Sequence, residues 1–242
     1  MIRFWSLLLL ATAAAFGAQQ APSSPAPQQP SADQTLTKLL MDSDQKKVMG
    51  DTAGAIKGYE TALARVGSEP AIRNREEEVL QRLSAGYIAS RRYQEAVTVS
   101  RRILALHQAD CKPGAPFLER CADAQYGLGL ALMYTEDFTQ AAAELNRSVA
   151  NFGGIGGPGD ELTRMNRLKN LGSAESLLGA ALFRAGDKEK AVATIRRAIA
   201  NLKIVADDAK LDPATRGSAR KSMQDAQASL NLLEPAQAPA KR

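Results

Sequence analysis

Apolar and small residues recur along this chain at fixed distances from four alanines: Ala55, Ala96, Ala141 and Ala191. Seven and eight residues after each alanine comes a small or aliphatic pair: Ala62-Leu63, Ile103-Leu104, Ser148-Val149 and Ala198-Ile199. Twelve before each is a small residue: Ser43, Ser84, Gly129 and Gly179. Thirteen before are Leu83, Leu128 and Leu178, with Asp42 breaking the pattern; nine before are Tyr87, Leu132 and Leu182, with Lys46 breaking it. Four after are Tyr59, Leu145 and Ile195, with Ser100 breaking it. A turn-forming pair sits five and four residues before each alanine: Gly50-Asp51, Arg91-Arg92, Glu136-Asp137 and Gly186-Asp187. The pattern predicts repeated helix pairs.

Helix-to-helix contact explains the offsets. The small residue lets the first helix of a pair approach the backbone of the second, and the alanine does the same from the other side. Leu and Tyr fill the remaining groove. One pair alone leaves an apolar face open, and the next pair covers it.

These stretches resemble tetratricopeptide repeats (TPR). Leu177–Ile199, LLGAALFRAGDKEKAVATIRRAI, is the fullest copy, followed by Tyr126–Val149 and Leu83–Leu104; around Gly50–Leu63 only the second helix is recognisable. The resemblance implies an all-α fold: a right-handed superhelical stack of antiparallel helix pairs, a TPR-like solenoid of about four pairs over residues 36–211. The spacing departs from the family's roughly 34 residues. The alanines are 41, 45 and 50 apart, which leaves 7, 11 and 16 extra residues after each second helix. HEAT-like repeats of about 40–47 residues are the alternative, but they give no reason for the turn and the small residue at constant offset. Asp212-Pro213 then signals a helix start. Ala219, Met223, Ala226, Leu230 and Leu233 recur at helical spacing, so residues 212–233 are expected to form a C-terminal capping helix.

The ends differ in composition. Residues 1–17 carry Arg3, an apolar run from Phe4 to Phe16 and the small pair Ala15 and Gly17, the layout of a cleavable secretory signal peptide. An uncleaved anchor is the alternative. Residues 18–35 are rich in Pro and Gln and are expected to be a disordered tether; residues 234–242 are expected to be a disordered tail. Pro22 and Pro25 have PxxP spacing, whose usual readers are intracellular signalling domains. After signal removal no remaining segment is apolar enough to span a membrane.

Of 242 residues, 45% are hydrophobic and only 5% aromatic, which disfavours a sandwich or barrel. A single histidine, His107, leaves little for histidine-based metal sites or nucleophilic catalysis. His107 itself reads as a helix-end residue favoured by the helix dipole. No cofactor and no metal are expected, and the chain does not read as an enzyme.

Cys111 and Cys121 are the only cysteines. In an exported chain they are expected to bridge, with two free thiols or a redox-active pair as alternatives. The glycine-rich run Asn151–Asp160 lacks the Gly-Lys-Ser/Thr ending of a phosphate loop and reads as a flexible turn, with Asp160-Glu161 opening the next helix. Arg73, Arg75, Arg82, Arg91-Arg92 and Arg101-Arg102 interleave with acids and read as solvated helix faces. No nucleic-acid partner is expected; weak contact with anionic envelope polymer or lipid is the secondary reading. Asn146-Arg147-Ser148 matches a glycosylation acceptor but falls inside a predicted helix.

In TPR relatives the first helices line a concave groove that binds peptides or partner proteins. By that resemblance the groove residues here are Gln81, Ala85, Ile88, Tyr126, Leu130, Met133, Tyr134, Phe183 and Arg184, with Ala89, Ser176 and Ala180 beside them. Gln81, Ala85, Tyr126 and Leu130 stand where carboxylate-clamp relatives need Lys and Asn, so that ligand class is not expected. An apolar or amphipathic peptide is. The alternative is that these side chains are core. The expected role is an exported protein-interaction scaffold of periplasmic or secreted location. The alternatives are an assembly subunit of an envelope complex, using the convex face or the cap, and an enzyme.

Overall fold

The computed structural model describes residues 30–112, 118–155 and 160–234. The expected signal peptide, the tether up to residue 29 and the tail from residue 235 lie outside the described residues. All helices belong to the unit that begins at Ala32. Among the described residues there are nine α-helices and no strand: α1 (Ala32–Val48), α2 (Thr52–Ser68), α3 (Glu76–Ala89), α4 (Tyr93–Leu106), α5 (Leu118–Tyr134), α6 (Phe138–Gly154), α7 (Glu161–Arg184), α8 (Lys188–Asp207) and α9 (Pro213–Leu233). Each packs on its neighbours in sequence, so α1–α8 form four stacked pairs and α9 lies against α8.

The four turns inside the pairs close identically. Gly50, Arg91, Glu136 and Gly186 all have positive φ, between 60° and 95°. The next residue's N–H reaches back to a carbonyl five residues earlier: Asp51 to Lys46, Arg92 to Tyr87, Asp137 to Leu132 and Asp187 to Leu182, at 2.8–3.2 Å. This is the glycine-favoured helix stop. Three turns then restart the chain with an aspartate cap, whose carboxylate accepts from the N–H of Gly54, Gln140 or Lys190. The second turn has Arg92 there, with no side-chain cap.

The small residue meets its partner across each pair as the contact argument requires. A Cβ on Gly129 would lie 2.5 Å from Leu145 Cγ, and one on Gly179 would lie 2.3 Å from Ile195 Cγ1. In the second pair the Ser84 and Ser100 hydroxyls meet at 3.1 Å. One core runs from Leu36 and Leu40 through Tyr59, Leu80, Leu83 and Leu128 to Leu178; a second, around Met165, Leu202 and Val205, joins α7 and α8 to α9.

The structure departs from the sequence reading in several places. α1 begins at Ala32, so residues 32–35 of the expected tether are helical; Leu36 is fully buried, and the turn before it folds with it. The surplus after α2 contains a 3-10 segment, Pro70–Arg75, which buries Ile72. The surplus after α4 begins with another, Gln108–Cys111. Asn151–Gly154, read as turn, form the last turn of α6, held by burial of Phe152. Residues 156–159 of that glycine run lie outside the described residues. The 16-residue surplus also lengthens α7, which starts at the Asp160 cap and runs for 24 residues. α9 buries Ala219, Ala226 and Leu233 and leaves Arg220, Lys221 and Asp225 exposed.

Candidate functional site: the first-helix wall

The first helices, α3, α5 and α7, carry the expected groove residues, and the structure divides them. Gln81, Ala85, Ile88 and Leu130 line one cleft of about 210 Å³ between α3 and α5. Its floor is Ser84, Ser100 and Ile103, and Glu77 and Asp123 lie along its walls. Ser100, small where the other pairs have Tyr59, Leu145 and Ile195, leaves this space open.

Tyr126 and Met133 are half-buried and pack against the core. Burial raises the Tyr126 hydroxyl above its ordinary pKa, and the Tyr134 hydroxyl adds to the shift. Tyr134 is 44% exposed and stacks on Tyr93, with ring centroids 5.1 Å apart. Phe183 is 45% exposed. Arg184 places its guanidinium 4.3 Å from the centre of the Phe138 ring, a cation–π contact. Of these expected groove residues, Tyr126 and Met133 pack on the core, Tyr134 and Arg184 are engaged with neighbouring rings, and Phe183 is nearly half exposed.

Carboxylates gather at the α3–α5 end of the wall. Asp123 has its pKa pushed up to about 6, chiefly by desolvation and then by the charges of Glu119 and Glu77; His107 opposes the shift. His107 ends α4 and is buried. Its Nε2 lies 3.1 Å from Glu77 Oε1 and its Nδ1 lies 3.2 Å from Asp110 Oδ2. The expected helix-end histidine is thus also a bridge between two carboxylates on other segments. Glu77, Asp123 and the serine floor were missed from sequence. The available signal was Glu119 and Asp123 at i, i+4, a like-charge spacing that helices avoid.

Cys111 Sγ and Cys121 Sγ are at bonding distance, 2.06 Å. The bridge ties the 3-10 segment after α4 to the first turns of α5, where Asn151 donates to Gln125 Oε1 at 2.7 Å. Most of the arginines are paired: Arg75 with Asp33 and Glu78, Arg82 with Asp44 and Glu78, Arg92 with Glu95, and Arg102 with Glu76. Ser148 of the glycosylation-like triplet is buried, donating to the Ala122 carbonyl at 2.7 Å. Among the described residues no group of three or more His, Cys, Asp or Glu side chains could hold a metal ion. No helix there is long and apolar enough to cross a membrane.

A second cleft, about 500 Å³, lies between α6 and α8 over Leu178 and Leu182 of α7. Its basic residues are both engaged: Lys190 with Asp187 and Arg197 with the buried Glu175.

No protein-family model matches the chain, and no curated protein matches it. Solved structures do. BtubC (BKLC) from P. vanneervenii superposes with a TM-score of 0.56 at 16% identity, covering 87% of this chain and 85% of that one. A single-substitution form of a putative kinesin light chain from Podosopora anserina, with nearly identical TPR-like repeats, gives 0.56 at 17% identity, covering 85% and 95%. Another structure of those repeats gives 0.52 at 17% identity, covering 86% and 97%. With the helix pairs above, these likenesses establish the fold as an all-α, TPR-like superhelix.

Proposed function

We propose that this protein is an exported scaffold that holds a peptide segment or partner protein in the concave groove formed by α3, α5 and α7. The observation that carries this reading is the α3–α5 cleft, an open space lined by Gln81, Ala85, Ile88 and Leu130 on adjacent first helices. A stacked core would have filled that space with side chains. The Cys111–Cys121 bridge supports a location in an oxidising compartment, which agrees with the expected signal peptide.

Photo-cross-linking tests the reading. A benzophenone amino acid placed at Leu130 or Phe183, on the first helices, should capture the native partner. The same group at Ala143 or Ala193, on the second helices, should not. Capture only from the second helices would favour the other role, an assembly subunit of an envelope complex. The α6–α8 cleft is the observation that favours that alternative.

A further inference from the structure

We infer that the α3–α5 cleft selects a basic side chain: it seats a lysine or arginine of the bound peptide against Glu77 and Asp123, with an apolar residue of the same peptide at the Ile88–Leu130 end. This rests on the groove reading above and adds what the groove selects.

The cleft is polarised along its length. Glu77 and Asp123 lie toward the N-terminal ends of α3 and α5, whereas Ile88 and Leu130 lie toward the C-terminal ends. Eleven residues of helix separate Glu77 from Ile88, about 16 Å. Between the ends the walls are low: Ala85 is on one side, and on the other is Gly127, whose missing Cβ would meet nothing within 4 Å.

The carboxylates are not all explained by the fold. Glu76 is neutralised by Arg102, and Glu78 by Arg75 and Arg82. Glu77 accepts a hydrogen bond from Gln81 Nε2 at 3.0 Å and faces His107 Nε2 at 3.1 Å through the same Oε1; like Glu119 it stands in the first turn of its helix, where acids suit the dipole. Asp123 is past the first turn of α5, one turn after Glu119, and forms no ion pair with the described residues. The ionised carboxylate is therefore partly desolvated and held beside Glu119 and Glu77, with His107 the one group that opposes them, an arrangement that costs the free protein stability and that a cation would relieve. The floor agrees. The Ser84 and Ser100 hydroxyls are both buried and hydrogen-bond to each other. One donated proton leaves oxygen lone pairs for an incoming N–H. A peptide with an acidic side chain at this point would be repelled.

The test uses the oxidised full-length chain and the peptide acetyl-Lys-Ser-Ala-Ser-Leu-amide, whose two long side chains lie about 13 Å apart when extended. Counterparts with Gln or Glu in place of Lys serve as controls. Backbone amide NMR shifts report where each peptide binds and how tightly. The lysine peptide should shift Gln81, Asp123 and Gly127 saturably, and should bind more tightly than the glutamine peptide and far more tightly than the glutamate peptide. Asp123→Asn should weaken the lysine peptide by about threefold or more, as should added salt. Asp123→Lys should reverse the preference toward glutamate. Glu119→Gln is the second variant, should weaken binding in the same direction, and is read if either Asp123 variant loses helicity. Equal affinity for the lysine and glutamine peptides, shifts outside this cleft, or no shifts would overturn the inference. Partner cross-linking from Leu130 that Asp123→Asn leaves unchanged would reject the charge selection and keep the groove. Lysine-peptide binding without any first-helix cross-link would reject the groove function and keep the selection.

Discussion

The Ser84 and Ser100 hydroxyls lie 3.1 Å apart in the buried seam between α3 and α4, where the third and fourth pairs set Gly129 against Leu145 and Gly179 against Ile195. The second pair thus replaces a glycine–aliphatic fit with a polar one, and the volume not filled at Ser100 becomes the floor of the cleft. The alternatives can be separated by a double-mutant cycle in urea. Ser84→Ala should cost about 1–2 kcal/mol, because the Ser100 hydroxyl loses its partner. Ser100→Leu alone should cost about 1–3 kcal/mol, since the Ser84 side chain occupies the space that Gly129 leaves for Leu145. Combining Ser84→Gly with Ser100→Leu should recover most of that loss while abolishing peptide binding in the cleft.

Arg91 adopts φ 60° at the turn where the first and fourth pairs use glycine. For a residue with a Cβ this region costs roughly 1 kcal/mol or more. Arg91→Gly should therefore stabilise the protein by about 0.5–1 kcal/mol despite the added freedom of the unfolded chain. Arg91→Val should destabilise it. Both shifts are read as changes in the urea midpoint at constant slope.

The bridge between Cys111 and Cys121 closes a short loop beside the N-terminal turns of α5. Cys111→Ser with Cys121→Ser should lower stability by about 2–3 kcal/mol. Loosening should concentrate in the amides of residues 118–126, seen as faster hydrogen exchange, with α8 and α9 little changed. Intact mass should rise by two hydrogens when the wild-type chain is reduced; an unchanged mass would mean that no bridge forms in the native protein.

Asp123 titrates near pH 6 in the folded protein, against an ordinary 3.8. The folded state thus binds this proton more tightly than the unfolded chain does. Ionised Asp123 costs stability above pH 6; the cost fades as pH falls through 6 and is absent below about 3.8. The residue is exposed at the cleft, so solvent screens the cost to below about 1 kcal/mol. Asp123→Asn should accordingly raise the melting temperature at pH 7 and make no difference near pH 3.5. A variant that destabilises the protein at pH 7 would mean that the carboxylate has a structural partner instead.

Tyr126 and Phe183 should separate by assay. Tyr126 packs on the core, so Tyr126→Ala should cost about 3 kcal/mol of stability. Phe183 is nearly half exposed, so Phe183→Ala should leave stability within about 0.5 kcal/mol. If Phe183 lines the occupied groove, the same change should weaken partner binding by more than about 1 kcal/mol.

The helix pairs and their turns could be read from sequence because each rests on contacts at short separation. Gly50-Asp51 and Gly186-Asp187 specify a left-handed stop and an N-cap within a few residues. A small residue twelve before an alanine reports the closest approach of two consecutive helices. The contents of the long surpluses were less legible: Ile72 holds a 3-10 turn, and Phe152 extends α6, through burial against distant elements that no local pattern encodes. The candidate site was the least legible. Its stripe Gln81, Ala85, Ile88 and Leu130 was expected only from the resemblance to the repeat family, and the offset that picks out Gln81 also picks out Tyr126, which packs on the core. Which side chains face a cavity depends on how far apart α3 and α5 stand, and Ser100 on α4 sets the depth between them. Whether three acids form one electrostatic cluster likewise depends on distances between helices, and only the stacked structure brought Glu77 to Glu119 and Asp123.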